Sequence, residues 1–428
     1  MKFNIDRKET FSFATITQKN DPKVSAFITI DIHQENSLST QAAQLMFSDV
    51  LLSGAGKYTR DEFLSAVNTL GASVDVSLGN GNLTITLRAS SQNFKKLLPL
   101  VETMLTTPTF SKTEITRIKS TLTNELHEAK ENSRAIAYEE LLNTIYGSGD
   151  RKFTYEIEEL ISALQRVNIQ KLKSLHQVVL SQPWTCSVAG DDDYLEAFKK
   201  MISKVKKNYS IPKTIIGIHQ QKTPQKICTL KNIPSKQNID FNIGAPVPIT
   251  LHHPDYIPLA IAVDVLAMWG NFAGRLMETV RIEEGLTYTI FGKVGGFTGS
   301  EQGFWRIWTF FSPDKALQGI KSTFNQIEKL YKEGISEAEL TKFKTILNTQ
   351  QILIQDSITG QLRDLHAYHC HQFTLQEMKE HKEKINSVTL EEVNDAIRTY
   401  LNPNTLTISG AGPVNAVKKD LQAFIKSV

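Results

Sequence analysis

Two residues in the stretch RIEEGLTYTIFGKVGG (Arg281–Gly296) could do chemistry: Arg281, and Tyr288 seven positions further on. A guanidinium is a permanent cation whose fork of donors polarises a carbonyl without titrating, and a phenol donates one hydrogen bond. Neither is an activated nucleophile as it stands. No nucleophile, metal cluster or phosphate loop stands beside them, so the pair reads as part of an active site only. Each residue also has an ordinary reading. An arginine at a helix end complements the helix dipole and pairs with a carboxylate such as Glu283 or Glu284. A tyrosine opening a strand sits half in the core.

A second constellation lies in QLRDLHAYHCHQF (Gln361–Phe373). On a helix, His366, His369 and Cys370 fall at i, i+3 and i+4, one face with the spacing of metal ligands. Such a face more often packs against its neighbours. The glycine-rich LGNGN (Leu78–Asn82) lacks the lysine and the strand-loop-helix context of a phosphate loop, and reads as a hairpin turn. LSGAG (Leu52–Gly56) reads as a helix C-terminus. Trp305, Trp308, Phe310 and Phe311 read as strand residues of a core.

The elements that must position these residues belong to a globular chain. It has 428 residues, 40% of them apolar and 22% charged, which is enough for two sizeable cores. The formal charge of +3 is spread without a basic stripe, which argues against nucleic acid as the ligand. The longest apolar run, IPLAIAVDVLAMW (Ile257–Trp269), is interrupted by Asp264 and is too short to span a membrane. Three cysteines form no CxxC, and the ten histidines form neither HExxH nor HxxEH. The N-terminus alternates polar and apolar residues and shows no signal-like apolar stretch. The chain as it stands therefore reads as cytoplasmic, and a periplasmic protein whose leader had been removed would read the same.

The chain repeats itself. VNIQKLKSLHQVVLSQPWTCSVAG (Val167–Gly190) and VTLEEVNDAIRTYLNPNTLTISGAG (Val388–Gly412) share one plan: a cap residue (Asn168 or Thr389), an amphipathic helix, a proline break, and a short strand. Proline to glycine is seven residues in both, Pro183 to Gly190 and Pro403 to Gly410. Earlier, each half runs strand, buried helix (Ser39–Gly54; Ile257–Arg281), alternating strands, then a long helical stretch (Asn93–Gly147; Pro313–Gln376). The spacing predicts an α+β fold of two tandem repeats, each an antiparallel sheet backed by helices: residues 1–212, a linker over 213–225, and residues 226–428.

This plan resembles the pitrilysin/insulinase family of zinc peptidases, in the branch of mitochondrial processing peptidase and its two-subunit bacterial relatives. The resemblance covers nearly the whole chain. It includes VLLSGAGKYT, AYEELLNTIYG, both closing segments and, most specifically, FAGRLMETVRIEEGLTY, where the family carries an Arg and a Tyr at the spacing of Arg281 and Tyr288. Zinc-binding members use an inverted H-x-x-E-H helix. Aligned on VLLSGA (Val50–Ala55), that motif falls on LMFSD, so Leu45 and Asp49 hold the histidine positions and Ser48 the base position. Glu125 stands near the position of the family's third ligand and would be alone. The resemblance implies no metal or cofactor in this chain and a homologous partner subunit bearing the zinc site in a heterodimer. In that assembly Arg281 and Tyr288 would hold a peptide substrate and its developing oxyanion. It also implies a rival: a scaffold of the same fold without peptidase activity, like family members retained as respiratory-complex core subunits.

Overall fold

The computed structural model describes residues 2–207, 209–210 and 221–427. Most of the expected linker, residues 213–220, lies outside the described residues. The fold is α+β, and it is built as two compact units with one strand plan.

In the first unit the sheet order is Lys2–Arg7, Phe11–Thr17, Trp184–Gly190, Lys23–Asp31, Asn82–Ser90, Ser73–Gly79. Every pairing is antiparallel except that of Phe11–Thr17 with Trp184–Gly190. In the second unit the order is Ile227–Asn232, Thr407–Gly412, Ile239–Val247, Gly303–Phe311, Ile290–Gly295, again with one parallel pair, the first. The two orders coincide once the extra N-terminal strand is set aside. In each, the closing strand inserts beside the opening strand and runs parallel to it, as the return from a closing helix requires.

Local sequence explains the local structure. Asn168 caps the helix Ile169–Ser181 by accepting from the Lys171 amide, and Thr389 closes a capping box with Glu392 on the helix Leu390–Tyr400. The predicted hairpin forms at Asn80 and Gly81, both left-handed at φ 48° and 74°, as a two-residue turn between right-twisted strands demands. Along Asn82–Ser90, Leu83, Ile85, Leu87 and Ala89 alternate into the core.

The long helical stretches break into three helices each: Ser91–Thr106, Lys112–Ala129 and Ser133–Ile145, then Pro313–Glu333, Glu337–Ile354 and Ile358–Cys370. The expected buried helix over Ile257–Arg281 is also interrupted. It runs Tyr256–Leu266, then turns irregular through Gly270 and Gly274, and resumes as a π-helix at Met277–Glu283. Gly274 sits at φ 109°, where a Cβ would come within 2.9 Å of the Ala267 Cα, so the chain folds back too tightly for a continuous helix.

Each unit is assembled from more than one stretch of chain. The first includes Ile352–Met378, and the second includes His127–Thr154. The helix Ile358–Cys370 lies on the sheet of the first unit, with Leu362 and Leu365 against Ala14, Ile16, Phe27 and Ala189. Strand Phe11–Thr17 is therefore apolar on both faces and not alternating. The helix Ser133–Ile145 plays the same part in the second unit, with Leu141, Leu142 and Ile145 against Phe304. Among the described residues, no helix is long and apolar enough to cross a membrane.

Candidate active site

The π-helix Met277–Glu283 buries Met277 and Val280. It ends where Gly285, at φ 60°, reverses the chain. The Leu286 amide then donates back to the Val280 carbonyl at 3.0 Å, and Leu286 buries its side chain. This is the hydrogen bond and apolar contact of a glycine-terminated helix. Thr287 anchors the next residues to the sheet, donating from its hydroxyl to the Phe310 carbonyl at 2.6 Å, while the Thr289 amide donates to Thr287 Oγ1 at 3.3 Å. With Thr287 and Thr289 both buried, Tyr288 between them must point outward. It is 72% exposed.

Arg281 lies beside it. Its guanidinium carbon is 5.1 Å from the centre of the Tyr288 ring and 4.5 Å from that of Phe272, which is also exposed. One guanidinium nitrogen donates to the Met277 sulfur at 3.5 Å. Among the described residues neither Glu283 nor Glu284 forms an ion pair with it, so the ordinary reading of a helix-end ion pair does not hold. Stacking on two rings leaves most of the fork free to donate. The structure thus brings the two predicted site residues together on an open surface.

The rival constellation is a packed one. His366 is buried, stacked 5.2 Å from Phe27, with Nε2 2.8 Å from Thr29 Oγ1 and Nδ1 2.8 Å from Ser187 Oγ. Both ring nitrogens are thus occupied by hydroxyls. Burial, helped by His369 and His371, holds its pKa down at about 3. His369 is also buried and pushed down to about 4, by burial first and then by Arg7. The Cys370 sulfur sits 3.5 Å from His366 Nε2, and burial pushes its thiol up to about 12. Among the described residues, no group of three His, Cys, Asp or Glu could hold a metal ion.

The degenerate motif sits on the helix Leu38–Leu51, opened by Ser37 accepting from the Thr40 amide. Leu45 and Ser48 are half-buried there and Asp49 is exposed, as is Glu125 on the helix Lys112–Ala129. Trp305 and Phe311 are core residues as expected, but Trp308 faces the other side of the sheet. There Arg134 stacks on it at 3.5 Å and its Nε1 donates to Asp240 at 2.9 Å.

Two family descriptions match the chain in sequence. Residues 15–153 match Insulinase (Peptidase family M16), and residues 166–347 match Peptidase M16 inactive domain. The chain belongs to peptidase family M16. One relative, described as the non-peptidase homolog YmxG of Helicobacter pylori, is 20% identical over 369 residues, 85% of this chain and 83% of that protein. The fold is similar to that of the peptidase M16 inactive domain from Pseudomonas fluorescens, at a TM-score of 0.84 and 18% identity, with 96% of this chain and 98% of that one covered. It is similar also to a protease from Helicobacter pylori, at 0.80 and 15%, covering 96% and 99%. Both of these structures are at low identity, so the structural likeness speaks for the fold alone.

Proposed function

We propose that this chain is the subunit of a two-chain M16 peptidase that lacks the zinc motif and contributes Arg281 and Tyr288. A homologous partner carrying an intact H-x-x-E-H supplies the zinc-bound water, and short or unfolded peptide is the substrate. The observation that carries the reading is the exposure of Tyr288 with the Arg281 guanidinium stacked on its ring, two donors held by buried neighbours and not consumed by a carboxylate. On this reading Tyr288 donates to the oxyanion that forms at the scissile carbonyl, and Arg281 holds the adjacent backbone. The chain's own residues supply no base and no ligand set, since Leu45, Ser48 and Asp49 stand where these would be. It is therefore inactive alone. The repeat boundaries at 1–212 and 226–428 belong to the same proposal, as the limits of two copies of one ancestral unit.

A second reading has one observation in its favour: the curated relative is described as a non-peptidase homolog. A scaffold of the M16 fold would bind peptide or a partner and cleave nothing. Mixing the purified chain with a zinc-bearing homologue and following a quenched-fluorescent peptide separates the two. The peptidase reading expects cleavage that neither chain shows alone, and the scaffold reading expects none.

A further inference from the structure

A second group of cations stands in the same compact unit as Arg281, on the sheet face opposite the core, and the proposed role of Arg281 and Tyr288 does not use it. The strand register places Lys293 opposite Arg306, and Phe291 opposite Trp308. Trp269 lies against them, 5.9 Å from Phe291 and 6.3 Å from Trp308 between ring centres. Three positive charges converge on that ring. Lys293 Nζ is 4.5 Å from its centre, the Arg306 guanidinium 4.8 Å and the Arg134 guanidinium 5.8 Å.

Nothing in the cluster neutralises them. Among the described residues none of the three forms an ion pair with a carboxylate. Asp240, on this face, has both oxygens engaged already: Ser133 Oγ donates to one at 2.6 Å and Trp308 Nε1 to the other at 2.9 Å. Arg306 is the more telling residue because it is 7% exposed. Its guanidinium donates to Asn242 Oδ1 at 2.5 Å, yet its Nε and the Asn242 amide nitrogen are buried without a partner. A buried cation with an orphaned donor is costly unless an anion completes it. The three charges also feel one another. Burial, then Arg306 and Arg134, lower the Lys293 pKa, and burial brings Arg306 down to about 10, with Arg134 adding to the shift and Tyr138 opposing it.

We propose that Arg134, Lys293 and Arg306 form, around Trp269, a binding site for a carboxylate of a peptide. The walls Trp269, Phe291 and Trp308 take the apolar residue beside that carboxylate. The chemistry favours a carboxylate with an apolar neighbour over a bare ion because the cations are held against aromatic rings, where a hydrated ion gains little. This deepens the peptide-substrate reading by naming an acidic class. Binding needs neither a partner chain nor turnover, so it can fail while the peptidase reading stands, and the reverse.

The experiment is fluorescence anisotropy on the full purified chain with three labelled peptides. One is end-blocked with a Glu-Phe pair, one carries Gln in place of that Glu, and one has only uncharged side chains and a free carboxyl-terminal Phe. The Glu peptide, the free-terminus peptide or both should bind about tenfold tighter than the Gln peptide, which is the scale of one charge-assisted contact. Which of the two binds identifies the carboxylate as side chain or terminus. Lys293→Gln and Arg134→Gln, both away from the core, should each weaken that binding about tenfold, and Lys293→Arg should keep it. Circular dichroism checks that the variants fold. Equal binding of all three peptides, or unchanged binding by both Gln variants, overturns the proposal.

Discussion

The Arg281 guanidinium and the Tyr288 ring lie 5.1 Å apart, centre to centre, at opposite ends of a turn that Gly285 and Thr287 hold in place. The contact makes one unit of two residues that are separated in sequence. Phe272 closes the other side of the guanidinium at 4.5 Å. Removing that ring by Phe272→Ala should loosen Arg281 without disturbing the core, because Phe272 is 68% exposed. The expected result is a peptide KM raised several-fold in the assembled enzyme with thermal stability unchanged. A fall in stability with no change in KM would make Phe272 a packing residue only.

The metal content of the isolated chain is a second prediction. Leu45 and Ser48 supply neither a ligand nor a base, Asp49 by itself makes no ligand set, and the His366 nitrogens are engaged by Thr29 and Ser187. Elemental analysis of protein purified without chelator should find no stoichiometric zinc, and the chain alone should cleave nothing. One zinc per chain, lost in the double variant His366→Ala with His369→Ala, would move the metal site to that helix.

His366 also sets a pH dependence. Its pKa falls from the ordinary 6.5 to about 3 on folding, because burial disfavours the imidazolium. Below about 6.5 the unfolded chain takes up a proton that the folded chain refuses. The associated stability is complete above that pH and is lost as pH falls toward about 3. His366→Leu removes the titration but leaves the Ser187 and Thr29 hydroxyls short of a partner, at a cost of about 1–3 kcal/mol near neutral pH. Urea midpoints should therefore differ widely between wild type and variant at pH 7.5 and converge at pH 5. A gap of constant size at both pH values would show that His366 is not buried in its neutral form.

Assembly gives a further prediction. A subunit contributing to a shared site should pair one-to-one with its zinc-bearing homologue through an interface of standard size or larger. Co-expression and sizing chromatography should yield a single species of about twice the monomer mass. Separate elution at micromolar concentration, with no gain of activity on mixing, would favour the scaffold.

Much of this was legible in the sequence for physical reasons. The cap residues Asn168 and Thr389 are local signals, and both open their helices as expected. The proline-to-glycine spacing is not kept in the strands, because a turn at Pro403–Thr405 delays the second strand, which runs Thr407–Gly412 where the first runs Trp184–Gly190. The Arg281–Tyr288 pair was visible through the resemblance to a family that carries an Arg and a Tyr at that spacing. Its exposure was not, because that depends on Thr287 bonding to Phe310 across the sheet. The break in Ile257–Arg281 escaped periodicity because apolar residues recur on both sides of it, and the left-handed glycines Gly270 and Gly274 mark it. Least legible was the cation cluster. Arg134 and Trp308 are 174 positions apart, and only the docking of the helix Ser133–Ile145 on the second unit's sheet brings them to 3.5 Å.

The central claim rests on Tyr288 as a donor, and Tyr288→Phe tests it most directly, since it keeps the ring against Arg281 and removes only the hydroxyl. The measurement is steady-state cleavage of a quenched-fluorescent peptide by the purified one-to-one complex, with dimer content checked for wild type and variant. The predicted result is a loss in kcat of about a hundredfold, the effect of removing one oxyanion donor, with folding and pairing intact because Tyr288 is 72% exposed. Cleavage at the wild-type rate by an equally assembled Tyr288→Phe complex would contradict the account and leave Tyr288 a surface residue without a catalytic part.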